Sequence, residues 1–330
     1  MRFASILHLL VLAGALAIAH PGIAQERGDD ASYPNKAVKI VVPYAPGGFP
    51  DVIARIIGQR LAETLGQQFI VENRGGAGGI AGCEAVAKAA PDGYTLLMAD
   101  VGQIAINPAL YRKLPYDSIR DFTPISMVAT TPLFLAVHSS VPVKTFPEMV
   151  ALVKSKPGEL TYGSSGTGSI HHLTMEAMKS ALGLDIIHVP YKGSGQSVPA
   201  LIGGQVSMSV AALPSLMAHI KAERVRLLAI NTATRSSQAP DVPSIAEMGT
   251  PGFDYPSKIG LLGPAGVSRG IVQKLYANIV KAVNHPDTLQ RFTPLGVDPV
   301  GGTPEAYATD NIADIERYAR VVKAAGIKAD

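Results

Sequence analysis

Four loops concentrate the side chains capable of chemistry, each mixing glycine with hydroxyl, carboxylate or imidazole groups. The first is Tyr44-Ala45-Pro46-Gly47-Gly48-Phe49-Pro50-Asp51 and the second is Asp100-Val101-Gly102-Gln103. The third is Tyr162-Gly163-Ser164-Ser165-Gly166-Thr167-Gly168-Ser169, with His171 and His172 just beyond it. The fourth is Val189-Pro190-Tyr191-Lys192-Gly193-Ser194-Gly195-Gln196. All four sit at the C-terminal ends of apolar stretches that read as strands. Their common design is backbone N–H groups and hydroxyls presented at helix starts, which suits a carboxylate or a phosphate. The first loop shows the logic best. The β-branched run 38–42 breaks at Pro43, and Pro50 and Asp51 open an amphipathic helix carrying Val52, Ile53, Ile56, Ile57 and Leu61. Proline suits the first helical position and an acidic residue the first turn.

Each loop also has a second reading as turn and capping chemistry. Asp51 can stabilise its helix start, Asp100 can cap the following turn, His171 and His172 can pack, and Tyr191 can be a core aromatic. Gly75-Gly76-Ala77-Gly78-Gly79 matches neither dinucleotide nor P-loop spacing. Catalytic patterns are scarce. Residues 163–166 read Gly-Ser-Ser-Gly, which is not a nucleophile elbow, and H-E-x-x-H and cysteine pairs are absent. Adjacent His171 and His172 point to different faces of a helix. A secreted hydrolase using Ser164 or Ser165 with His171 is the remote alternative. Cys83, the single cysteine, lies in an apolar helical stretch and reads as a buried thiol. No metal or cofactor is expected.

The elements that must position these loops alternate strand and helix. A strand at 38–42 leads to a helix at 50–65, a strand at 68–72, a helix ending at 90 and a strand at 94–99. The apolar segment 125–138 reads as one extended strand. Helices at 146–155, 170–182, 196–201 and 214–223 then alternate with strands at 160–163, 186–191, 206–211 and 225–231. A strand at 258–263 and helices at 268–284 and 304–325 close the chain. Such alternation indicates an α/β fold of parallel or mixed sheets flanked by helices. Two sheets in one chain imply an inserted middle block, giving one lobe from 25–129 plus 232–330 and a second from 130–231. The two connecting segments make a two-strand hinge with a binding cleft between the lobes.

Arg2, the apolar stretch 6–18 and the small residues up to Ala24 form a secretory signal, with cleavage expected after Ala24. An apolar run of about 13 residues falls short of the ~20 that span a bilayer. A soluble exported product follows. The chain has 330 residues, ample for two domains, and a formal net charge of +3. Basic residues are dispersed singly, so nucleic acid is not an expected partner.

Several motifs in order along the chain carry a resemblance. They are Pro-Tyr-Ala-Pro-Gly-Gly-x-x-Asp-x-x-Ala-Arg (43–55), Val-Glu-Asn-Arg-x-Gly-Ala-Gly-Gly (71–79) and Ala-Pro-Asp-Gly-Tyr-Thr-Leu-Leu (90–97). Tyr-Gly-Ser-Ser-Gly-x-Gly-Ser-x-x-His-Leu (162–173), Val-Pro-Tyr-Lys-Gly-Ser-Gly (189–195) and Pro-Asp-Val-Pro-Ser-Ile-Ala-Glu-Met-Gly (240–249) continue it. Together they resemble the extracytoplasmic solute-binding proteins of tripartite tricarboxylate transporters, the Bug proteins. The resemblance implies a monomeric periplasmic receptor with a two-lobed periplasmic-binding-protein fold of type II, the Venus flytrap. Such a receptor closes on a small organic acid and delivers it to a membrane permease. A role as ligand sensor for a signalling partner is the alternative.

Carried over, the carboxylate grip falls on Tyr44, Ala45, Pro46, Gly47, Gly48 and Asp51, with Phe49 in the same loop. Ser164, Ser165, Gly166, Thr167 and His171 match the opposing lobe, where Tyr191 joins them. Ser207 and Ala211 stand where the family more often has acidic residues, and Lys258 where it has tryptophan. Asp100 and Val101, beside Gly102, replace small hydroxyl or amide residues. An ionised Asp100 repels a second ligand carboxylate and attracts a nitrogen donor. The expected ligand therefore has one carboxylate and either an apolar or aromatic body or a nitrogen donor.

Overall fold

The computed structural model describes residues 30 and 32–328 apart from 45, 48, 76 and 192. The secretory signal and two residues of the first loop, Ala45 and Gly48, lie outside the described residues. Eleven strands are assigned among the described residues: β1 (Val38–Val42), β2 (Phe69–Asn73), β3 (Thr95–Asp100), β4 (Phe122–Thr131), β5 (Phe134–His138), β6 (Thr161–Ser164), β7 (Ile187–Pro190), β8 (Met208–Ala211), β9 (Val225–Ile230), β10 (Ser257–Pro264) and β11 (Asp298–Pro299). The α-helices are α1 (Phe49–Leu65), α2 (Ile80–Ala87), α3 (Asn107–Leu110), α4 (Phe146–Ser155), α5 (Ile170–Leu182), α6 (Ser194–Ile202), α7 (Leu213–Lys221), α8 (Arg269–Val283), α9 (Pro286–Phe292) and α10 (Pro304–Ala325).

One sheet has the order β11-β4-β10-β3-β1-β2 and the other β7-β6-β8-β5-β9. Strands β1, β2 and β3 run parallel, as do β6, β7 and β8, while β10 and β5 are antiparallel to their neighbours. Val38, Ile40, Val41 and Val42 are all buried, because helices cover both faces of that sheet; continuous apolar runs are what such strands need. Helix α1 turns Ile53, Ala54, Ile56, Ile57 and Leu61 inward at the spacing of one helical face.

The segment 125–138, expected to be one strand, is two strands in two sheets. β4 ends at Thr131 and β5 begins at Phe134. Pro132 has no N–H to continue a ladder, and the Leu133 N–H donates to the Asn231 side chain rather than to a strand. The expected helix ending at 90 is shorter: a 3₁₀ turn at Ala77–Gly79 precedes α2, which stops at Ala87. The strand expected at 94–99 is offset by one residue and contains Asp100. A π-helical turn, Gly102–Ile106, and the short α3 after it were not anticipated.

Register fixes which end of each sheet matters. Asp100, the last residue of β3, pairs with Ile259 near the start of β10, and Ser257 pairs with Thr131 at the end of β4. Phe134, which starts β5, pairs with the last residues of β8 and β9, Ala211 and Ile230. Both chain crossings therefore leave from the ends where the parallel strands terminate, so the loops after β1, β3, β6 and β7 all lie towards the junction of the two sheets. One apolar cluster spans that junction: Val101, Ala105 and Ile106 pack with Leu133, Leu173, Tyr318, Val321 and Val322. Residues 101–106 and the end of α10 thus share a core with residues of the 130–231 segment.

Candidate functional site

At the ends of β1 and β3 the structure joins two of the loops through one pair. The Tyr44 hydroxyl lies 2.8 Å from each carboxylate oxygen of Asp100, and the Gly102 N–H donates to Asp100 Oδ1 at 2.7 Å. The Asp100 N–H in turn donates to Gln103 Oε1 at 3.2 Å. Burial pushes the Asp100 carboxyl up to about 6, and the bonds from Tyr44 and Gly102 offset this only in part. Capping of the following turn is thus what Asp100 does within the chain itself. Val101, expected to line a pocket, is 5% exposed and belongs to the apolar cluster at the junction.

Asp51 organises the first loop from beneath. It is 2% exposed and accepts from the Gly47 N–H at 2.8 Å, Arg55 Nε at 3.1 Å and Asn73 Nδ2 at 2.9 Å. Burial alone would raise its carboxyl, but these bonds outweigh it and hold it below the usual range. Asn73 Nδ2 also donates to the Tyr44 carbonyl. The Gly47 amide, expected to meet a ligand, is therefore taken by Asp51 in this conformation. Gly47 has φ +84°, in the left-handed region that favours glycine, and this turn aims its N–H inward. Pro46 is exposed and Phe49 packs against the first sheet's core.

The second constellation lies at the ends of β6 and β7. Ser164 is fully buried; its Oγ lies 2.6 Å from His188 Nε2 and donates to the Gly166 carbonyl at 3.2 Å. The Tyr191 N–H donates to the Ser164 carbonyl at 3.1 Å, coupling the third and fourth loops. Ser165 Oγ lies 2.7 Å from His171 Nδ1, and Thr167 is exposed at the tip. Beneath them the His172 and His188 rings stack at 3.9 Å with 9° between planes, and Tyr162 stacks on His188 at 4.9 Å. The Gly168 N–H donates to His172 Nδ1 at 3.0 Å. Burial pushes His171 down to about 4, and burial together with the neighbouring His188 does the same to His172. Both are neutral near pH 7. Gly168 has φ +77°, and a side chain there would strike Leu110 of α3, which places the segment following β3 against the third loop.

The chemistry available is hydrogen bonding. The Ser165–His171 pair has the reach of a nucleophile and base, but among the described residues no carboxylate orients His171, and an imidazole pushed down to about 4 is a weak base. Ser164, the other serine considered, is engaged by His188. Among the described residues no group of three or more His, Cys, Asp or Glu is arranged to hold a metal ion. Cys83 is buried, and burial pushes its thiol up to about 12. Two surface grooves, of about 550 and 290 Å³, are lined by other residues: the larger by 108–121 with Ile315, the smaller by the chain crossings near Thr130, Thr232 and Asp254.

Sequence reasoning passed over several residues that shape this region. Asn73 and Asn107 hold the first two loops together with Gln103 of the second loop, Asn107 and Gln103 both donating to the Gly78 carbonyl. The Ala212–Leu213 turn after β8 lies at the same sheet end, next to the crossing strand β5. That turn has neither glycine nor hydroxyl to mark it; only strand order reveals it. Lys258 is 8% exposed and held at 2.8 Å by both Asp310 and Asp314 of α10.

Comparison with known proteins identifies the arrangement. A family model described as the tripartite tricarboxylate transporter family receptor matches residues 53–327. The structure of R. palustris Rpa4515 with adipate is similar at TM-score 0.78 and 35% identity, covering 90% of this chain and 99% of that one. The periplasmic binding protein BugD gives TM-score 0.75 at 30% identity, covering 90% and 100%. MatC from Rhodopseudomonas palustris with bound malate gives 0.74 at 33%, covering 88% and 100%. Two mixed α/β sheets joined by paired crossings, with polar loops at the facing strand ends, are the two-lobed fold of these proteins, and the chain belongs to the tripartite tricarboxylate transporter receptor family.

Proposed function

We propose that this protein is a periplasmic receptor that captures a small organic carboxylate between its two lobes, closes on it, and passes it to the permease of a tripartite transporter. The observation that carries the reading is the shared orientation of the two sheets. Loops rich in hydroxyls and backbone N–H groups end β1, β3, β6 and β7 on the sides where both crossings run. Rpa4515 and MatC, with the same architecture, hold adipate and malate. The ligand region consists of Tyr44, Ala45, Pro46, Gly47, Gly48, Phe49, Asp51, Asp100 and Gly102 on one side. Ser165, Gly166, Thr167, His171 and Tyr191 stand on the other, with Ser164 and Val101 supporting from beneath. A charged hydrogen bond contributes about 1.5–3 kcal/mol and micromolar affinity needs about 8 kcal/mol, so a few such bonds with apolar burial suffice.

Thermal shift against a panel of mono-, di- and tricarboxylates tests the reading, since a ligand that binds only the native state raises its melting temperature. At least one acid should give a saturable rise. A flat response across the panel counts against carboxylate capture.

A further inference from the structure

All the chain that passes between the two sheets through the hinge meets at one buried side chain. Asn231, directly after β9, is fully buried. Its N–H donates to the Leu133 carbonyl at 3.0 Å and its Oδ1 accepts from the Leu133 N–H at 2.8 Å. On its other side the Tyr255 N–H donates to the Asn231 carbonyl at 2.8 Å, and Asn231 Nδ2 donates to the Tyr255 carbonyl at 2.5 Å. Leu133 lies between β4 and β5, and Tyr255 lies two residues before β10. Three segments of chain from the two crossings are thus tied into one rung, half of whose bonds are made by an amide side chain. The amide carries the acceptor and the donor this needs on two separate atoms; an ionised carboxylate or alkyl group loses at least one of them, and a serine hydroxyl, with both on one shorter-reaching atom, cannot serve the two partners at once.

The surroundings leave the rung as the joint. Above and below it the crossings enter two separate sheets, and Pro132 interrupts the ladder on one side. The smaller groove is lined by Thr130, Pro132, Thr232, Asp254 and Pro256, so open space adjoins both crossings. Tyr255 in turn packs edge-on against Tyr318 of α10 at 5.7 Å, and Arg317 donates to the Asp254 carbonyl at 3.0 Å.

We infer that Asn231 is the hinge pin of this protein: its side-chain amide makes the crossings turn as one unit and so limits the ligand-free molecule to a narrow range of lobe angles. Without the amide only the two backbone bonds still join the crossings, and the Leu133 N–H and the Tyr255 carbonyl lose their partner. The inference rests on the two-lobed closure described above, but its test needs no ligand. Spin labels at Lys88→Cys and Lys156→Cys, exposed positions following α2 and α4, report the distance between the lobes; the native Cys83 is buried and stays unlabelled. Full-length protein carrying Asn231→Leu should show a broader inter-label distribution than the parent, with circular dichroism unchanged well below its melting temperature. Thr232→Ala, which removes a neighbouring side-chain bond outside the rung, should match the parent. If leucine prevents folding, Asn231→Ser, smaller and unable to span either partner, is measured in the same way and should broaden equally. A distribution superimposable on the parent's for the folded Asn231 variant, or equal broadening by Thr232→Ala, overturns the assignment. Absence of any carboxylate response would instead defeat the receptor reading and leave the hinge result standing.

Discussion

At the scale of single residues, Asp100 has the most to decide. Its carboxyl already meets Tyr44 and the Gly102 N–H, yet it ends a strand beside the junction. Asp100→Asn keeps an acceptor for Gly102 and removes the charge. If the carboxylate governs ligand choice, the variant loses affinity for an amine-bearing acid and tolerates a second ligand carboxylate better, as read by calorimetry. Unchanged preference for a tricarboxylate in both proteins rejects that role. The pH dependence of stability is a separate test. Asp100 is raised to about 6 in the folded protein, so between its unfolded value and 6 the native state holds a proton that the unfolded chain has released. Its contribution is present at low pH and lost as pH rises through about 6. His171 and His172, pushed down to about 4, act oppositely: their contribution is present above the unfolded imidazole value and lost as pH falls through about 4. Melting curves should therefore show Asp100→Asn gaining relative to wild type above pH 6 and losing that advantage in acid.

At the scale of elements, the β1–α1 loop is held by Asp51. Asp51→Ala strands the Gly47 N–H, removes one of the two bonds of Asn73 Nδ2, and leaves Arg55 without its buried partner. Half-exposed Arg55 returns to water rather than remaining as a buried charge, so the cost is that of the lost hydrogen bonds, about 1–3 kcal/mol. Urea denaturation measures it directly. A loss below about 1 kcal/mol, the ordinary surface ion-pair value, would show that the loop does not depend on Asp51. The elements themselves were legible wherever periodicity ran long: α4 and α10 have the bounds their sequence pattern gives. The break between β4 and β5 had only Pro132 to mark it, inside a segment whose flanking residues keep the apolar, β-branched character of a strand. The π-helical turn after β3 was hidden for a similar reason, since its apolar residues serve a cluster contributed by the other sheet.

For the molecule as a whole, closure on a carboxylate should bring the lobes together. Small-angle scattering at confirmed saturation with the best acid from the thermal panel should give a smaller radius of gyration than the ligand-free protein. Identical curves would indicate a receptor already closed. Helix α10 packs against α5, α3 and the Gly102–Ile106 turn and reaches into the shared cluster with Tyr318, Val321 and Val322. Lys258 couples that helix to β10 through Asp310 and Asp314 and so serves the scaffold.

The amino-acid sequence by itself determined the alternation of strands and helices, the four polar loops, their places at strand ends and the family, because these are local properties: apolar periodicity, glycine and proline punctuation, and short motifs in order. Tertiary structure alone decided which amides and carboxyls are already engaged. Asp100 faces Tyr44 across 56 positions, and Asn231 joins residues separated by 98 and 24 positions. No local pattern encodes such pairings. They arise when packing removes a polar group from water and leaves it to find a partner among whatever the topology has brought near.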